Sequence, residues 1–282
     1  MNRFWHARVI ETSKRELESV AHYLDPWYEI ETKLVARPTD YTVLKAVATV
    51  VRAPGGREAA FTRELKGLAG AVPYAGIGKR IRAATEGDAT GLLEGLLLEN
   101  TKALRQARVF VWERVGMNPL DYLPLIEALL KDSCINFARP NSVLESVLRP
   151  KQLDEMVRWD CLFTRQRYCH MQWDGEAERI TAGLSDSYHE MRIEALIHGD
   201  QVTEVEGRIL RAPHKPCFDA EPTHEQLLGA RVSEGPRNWE KRVQGPRGCT
   251  HLADVAREVC NSLEYWRATR SDGERARAIA GG

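Results

Sequence analysis

The chain has no surplus of charge of either sign: 40 Lys and Arg stand against 40 Asp and Glu in 282 residues. A surface dedicated to nucleic acid or to an anionic membrane needs a basic excess to neutralise phosphates, so neither partner is expected. Long apolar runs are also missing. The longest, such as residues 47–51 and 96–98, fall far short of the ~20 residues that span a bilayer. Arg3, Arg8, Glu11, Lys14 and Arg15 interrupt the first residues, so no secretory apolar core can be drawn there. Without a leader, the six cysteines read as reduced thiols rather than a disulfide framework, and a cytoplasmic location is expected. No Gly-x-Ser-x-Gly elbow is present, which argues against a serine hydrolase. Gly76-Ile-Gly78-Lys-Arg lacks both the glycine spacing and the Lys-Ser/Thr pair of a phosphate loop.

What is present is an ordinary globular composition, 43% apolar and 28% charged, at a length that suits two domains. It also contains an internal similarity, a feature that decides fold when it is real. Asp25-Pro-Trp-Tyr-Glu-Ile-Glu-Thr-Lys-Leu34 lies over Asp186-Ser-Tyr-His-Glu-Met-Arg-Ile-Glu-Ala195 at an offset of 161, and Arg52-Ala-Pro54 over Arg211-Ala-Pro213 at 159. Further on, Gly87-Asp-Ala-Thr90 meets Gly248-Cys-Thr-His251.

Each copy reads as an alternating stretch, a turn, a second alternating stretch ending in Arg-Ala-Pro, and then a helix. In the second copy Met191, Ile193 and Ala195 alternate with charged residues, Gly199-Asp200 supplies a hairpin turn, and Val202, Val205 and Ile209 continue. Leu252, Val255, Val259, Leu263 and Trp266 recur at helical spacing. The first copy offers Ile30, Thr32 and Leu34, then Val43, Ala46 and Val50, then one helix over residues 90–112. The fold expected is α+β: two tandem related units, each an antiparallel β-hairpin or sheet packed on helices, with a helical segment between them. The units fall at residues 1–112 and 164–266, a helical connector at 113–163 and a loose polar tail at 267–282.

The copies differ where chemistry could sit. Tyr28 faces His189, Asp88 faces Cys249, Thr90 faces His251, and residues 55–60 hold no counterpart of His214 or Cys217. Thiolate and imidazole are the donors zinc and iron prefer. His189, Cys217, Cys249 and His251 are therefore the candidate metal ligands, with Asp186 an alternative member that also suits turn capping in both copies. Cys249 precedes a helix, where exposed amides and the dipole favour thiolate, which makes Cys249 and His251 the candidate catalytic pair. Against this, a free cysteine is often a small buried hydrophobe, and a histidine alternating with Met191 and Ile193 is often satisfied by a carbonyl.

Tyr188-His-Glu-Met191, Arg211-Ala-Pro-His-Lys-Pro-Cys217, Leu227-Leu-Gly229 and Gly248-Cys-Thr-His-Leu252 together resemble the bacterial family known as domain of unknown function 2889, over about residues 164–266. Glu190 stands where that family has Asp, and its Gly-Trp pair is loosened to Gly235-Pro-Arg-Asn-Trp239. The resemblance implies relatives but no activity. More remotely, the order of hairpin, Cys, helix, Leu-x-Gly, helix and Cys is similar to NifU-type iron–sulfur scaffold domains. Two cysteines stand here at comparable stations, and the third is missing.

These features lead to the expectation of a cytosolic metal- or thiolate-dependent enzyme that uses zinc or iron on a small, aromatic or acyl, substrate. The alternatives are a non-catalytic metal or iron–sulfur carrier and a structural subunit, with a homo-oligomer or a partner protein also open.

Overall fold

The structure, a computed structural model, describes residues 1–12, 14–54, 60–74, 76–88, 90–114, 116, 118–148 and 161–280. The comparison of residues 55–59 with His214 and Cys217 therefore lies outside the described residues. Mixed α and β structure is observed, in two units. The N-terminal unit comprises Phe4–Ala128 and Val143–Gln166, and the C-terminal unit Met1–Arg3, Leu129–Ser142 and Arg167–Gly282. The expected connector is thus divided, its residues 129–142 packing with the C-terminal unit.

The strands are β1 (Asn2–Glu11), β2 (Leu17–Leu24), β3 (Glu29–Ala36), β4 (Val43–Arg52) and β5 (Phe61–Glu64). Within the N-terminal unit they lie in the order β5-β4-β3-β2-β1 and pair antiparallel. Ile30, Thr32 and Leu34 face the core with Val43, Ala46 and Val50, as the alternation predicts. Helices α1 (Ile77–Ala84), α2 (Leu92–Gln106) and α3 (Arg108–Arg114) follow. The single helix expected over 90–112 is broken at Ala107. Beyond the break Phe110, Val111 and Trp112 of α3 are all buried. In the core of this unit Asn100 accepts from Ser19 Oγ at 2.9 Å and donates to Thr32 Oγ1 at 2.6 Å.

Helices α4 (Leu123–Leu130) and α5 (Ser142–Leu148) precede β6 (Cys161–Trp173), β7 (Ala177–Asp186), β8 (Glu190–His198) and β9 (Gln201–Arg211). In the C-terminal unit the order is β6-β7-β8-β9. Gly199, at φ 57°, makes the β8–β9 turn. A 3₁₀ stretch over Lys215–Leu227 lines the edge strand, where Glu221 accepts the Ile209 N–H at 2.7 Å. Helices α6 (Pro236–Val243) and α7 (Thr250–Ala280) complete the unit. Leu252, Val255, Val259 and Leu263 of α7 pack on Ile180, Leu184, Met191, Ile193 and Ile197 of the sheet. The tail expected to fray instead continues α7 to Ala280. Its Glu274-Arg-Ala-Arg-Ala-Ile279 run is rich in strong helix formers.

The same local device closes both units. Asp25 Oδ1 accepts the N–H groups of Trp27 and Tyr28 at 2.7 and 2.5 Å, and Asp186 Oδ1 those of Tyr188 and His189 at 2.8 and 2.7 Å. Arg52 then donates to the carbonyls of Asp25, Pro26 and Tyr28, while Arg211 donates to those of Asp186, Ser187 and His189. The arginine of Arg-Ala-Pro is therefore a clamp on the Asp turn. No described helix is long and apolar enough to cross a membrane.

Candidate functional site

The turn joining β7 to β8 holds Asp186 and His189. His189 Nδ1 lies 3.0 Å from Asp186 Oδ1, so the carboxylate that gathers the turn amides also orients the imidazole. The N-terminal turn of α7 brings His251 above it. The two imidazoles stack with centroids 3.7 Å apart at 24°, and His251 Nε2 stands 3.9 Å from Asp186 Oδ2. Tyr188 packs edge-on against His189 at 6.2 Å. Asp186 is fully buried, His189 nearly so, and His251 keeps 19% of its side chain exposed. One donor atom from each of Asp186, His189 and His251 lies within 4.8 Å of the others, the one such group among the described residues. A carboxylate and two imidazoles are a donor set for zinc or non-haem iron, and three protein ligands leave coordination positions for a substrate.

The structure thus brings together two of the four expected ligands, His189 and His251, and adds Asp186, which its turn-capping role had explained on its own. Cys217 and Cys249 are buried and do not join the group. Burial pushes the Cys249 thiol up to about 12, and this outweighs the donated amides of Leu252 and His251 that pull it down. The helix-terminus effect expected to give a thiolate is present, but desolvation is larger. The thiols of Cys134 and Cys217 lie close enough to raise it further.

Asp88, which the sequence sets against Cys249, accepts from the N–H groups of Thr90 and of Leu93 in the first turn of α2 at 3.1 and 2.8 Å. Asn136 was not foreseen. It is 2% exposed, and both atoms of its carboxamide are buried with no hydrogen-bond partner among the described residues. Its neighbour Ile135 donates to the Gly248 carbonyl at 2.9 Å, which fixes this loop beside the start of α7.

Residues 148–263 match the family described as Protein of unknown function (DUF2889). The matched segment contains Asp186, His189, Cys217, Cys249 and His251, so the candidate cluster is a feature of the DUF2889 segment and not of the first half of the chain. No curated protein and no solved structure matches the chain.

Proposed function

We propose that the chain is a cytosolic metal-dependent enzyme acting on a small molecule, and that Asp186, His189 and His251 hold one divalent ion, zinc or iron. The convergence of the three donors within 4.8 Å is the observation that carries this reading. A cation there would supply Lewis acidity toward a carbonyl or a water. The chain's own residues set the conditions. Asp186 holds His189 in one orientation, the Arg211 clamp fixes the turn, and the partly exposed His251 is the side on which a substrate reaches the cluster. Asn136, in the loop tied to Gly248 through Ile135, carries a buried orphan carboxamide that costs about 1–3 kcal/mol unless a water or a ligand completes it. The parallel Asp turns and Arg clamps support descent of both units from one duplicated unit, the first having exchanged its imidazoles for Tyr28 and Thr90.

A second reading is a metal or iron–sulfur carrier: the thiols of Cys134 and Cys217 act on that of Cys249, although the three form no group with donor atoms within 4.8 Å of one another among the described residues. Metal analysis after reductive purification separates the two. The enzyme reading expects about one equivalent of zinc or iron, lost in His189→Ala and His251→Ala and retained in Cys249→Ala. Brown colour and visible absorption lost in Cys249→Ala point to the carrier. Occupancy that neither histidine variant alters removes the Asp/His/His site.

A further inference from the structure

In the N-terminal unit a cleft of about 370 Å³ opens at the station equivalent to the histidine cluster. Tyr28 and Thr90, which the sequence sets against His189 and His251, both line it. This volume is in the range of small-ligand sites. Buried Ile30, Val50 and Leu93 form its floor, and Phe61 adds a ring that is 39% exposed. The polar lining is asymmetric. Asp88 spends both carboxylate oxygens on Thr90 and Leu93, so it is already satisfied. Arg63 stands over the Phe61 ring at 5.1 Å and forms no ion pair among the described residues. Burial, with the carboxylates of Asp25 and Asp88, holds the Tyr28 phenol above its ordinary value of 10.0, so it stays a hydrogen-bond donor at neutral pH. Glu86, also lining the cleft, is exposed to solvent.

We propose that this cleft binds a small carboxylic acid with an aromatic or short aliphatic body. Arg63 and Tyr28 hold the carboxylate, and Ile30, Val50, Phe61 and Leu93 receive the body. A guanidinium on an aromatic ring and a neutral phenol in one cleft are complementary to a carboxylate, and apolar walls of this extent select against small hydrophilic anions. The site does not depend on the metal reading, because it lies wholly within the N-terminal unit and is read by a different measurement.

The test is calorimetric and ligand-observed NMR titration of the full chain with benzoate, octanoate, benzyl alcohol and benzylamine. Benzoate and octanoate are expected to bind saturably below about 10 mM, and the alcohol and the amine at least about tenfold more weakly. Arg63 is exposed, so Arg63→Gln and Arg63→Lys are expected to fold. The first weakens benzoate by about tenfold or more, and the second less. Three outcomes would each overturn the proposal: no saturable benzoate binding, benzoate affinity unchanged in Arg63→Gln, or benzylamine binding as well as benzoate.

Discussion

Cys249 shows how two local effects compete on one atom. Its thiol stands at a helix N-terminus with two amides donating to it, yet burial raises it from an ordinary 9.0 to about 12, and burial does the same to Cys169 in the sheet. A group raised on folding contributes stability in full below its unfolded value, and loses that contribution as pH climbs toward the folded one. Between about pH 9 and 12 the unfolded chain has released this proton and the folded chain keeps it, so each thiol costs about 1.4 kcal/mol of stability per pH unit. Cys249→Ala is expected to flatten the fall in urea midpoint over that range by the share of one proton, whatever its effect at pH 7. A slope identical to the parent's would mean the thiol is not held protonated. The same competition explains what was legible at the site. His189 and His251 stood out because their counterparts, Tyr28 and Thr90, are not ligands. Asp186 stood only as an alternative ligand because Asp25 matches it and a turn role accounts for both. Cys217 and Cys249 misled because position along a chain reports a face of an element and not a distance across the fold. Asn136 has no motif around it, and only its burial reveals it.

The β8–β9 and β3–β4 hairpins and the closing helices were readable from apolar spacing, because one of their faces is uniformly apolar. Strands β1, β2, β6 and β7 were not foreseen. In β6 the inward face carries Arg165 and Arg167 among Phe163, Cys169 and Met171, and in β1 it carries Arg3 beside Trp5, which breaks the alternation that marks a strand. Gly248 of the Gly-Cys-Thr-His-Leu run is readable only in the structure. A Cβ added there would collide with the backbone carbonyl of Val243, its carbon at 2.7 Å, and with Gln244. Backbone at the end of α6 cannot yield as a side-chain tip can. Gly248→Ala is therefore expected to destabilise by about 1–3 kcal/mol and to push the start of α7, with His251, away from Asp186, so that metal occupancy falls too. At the matching Gly87, φ is +89° and a Cβ meets nothing within 4 Å, so an alanine there bears only left-handed strain of about 1–2 kcal/mol. Urea unfolding with metal analysis compares them. An occupied, undisturbed site in Gly248→Ala would show that α7 is not braced through this contact.

At the scale of the whole molecule, a buried carboxylate of the closing helix is locked to an arginine in each unit. Glu99 of α2 pairs with Arg165 at 2.9 Å and has Lys102 at 3.4 Å, and Glu258 of α7 pairs with Arg167 at 2.8 Å and has Arg3 at 3.5 Å. The two glutamates are 159 residues apart, the offset that separates the two Arg-Ala-Pro motifs. Strand β6 supplies both principal arginines, Arg165 to the N-terminal unit and Arg167 to the C-terminal unit. Such pairs add little net stability over apolar residues of the same volume, but removing one partner strands a buried charge. Arg165→Met and Arg167→Met are each expected to destabilise by about 3–5 kcal/mol; most of the loss is recovered in Arg165→Met/Glu99→Leu, where Lys102 keeps 23% of its side chain exposed, and less in Arg167→Met/Glu258→Leu, which takes the carboxylate from Arg3 at 4% exposed. The two recoveries should differ, because the second cation reaches solvent beside Glu99 and is buried beside Glu258. Equal recovery in the two double variants, read by urea unfolding, would mean that Arg3 without the Glu258 carboxylate carries no penalty, and would overturn this account of the pair.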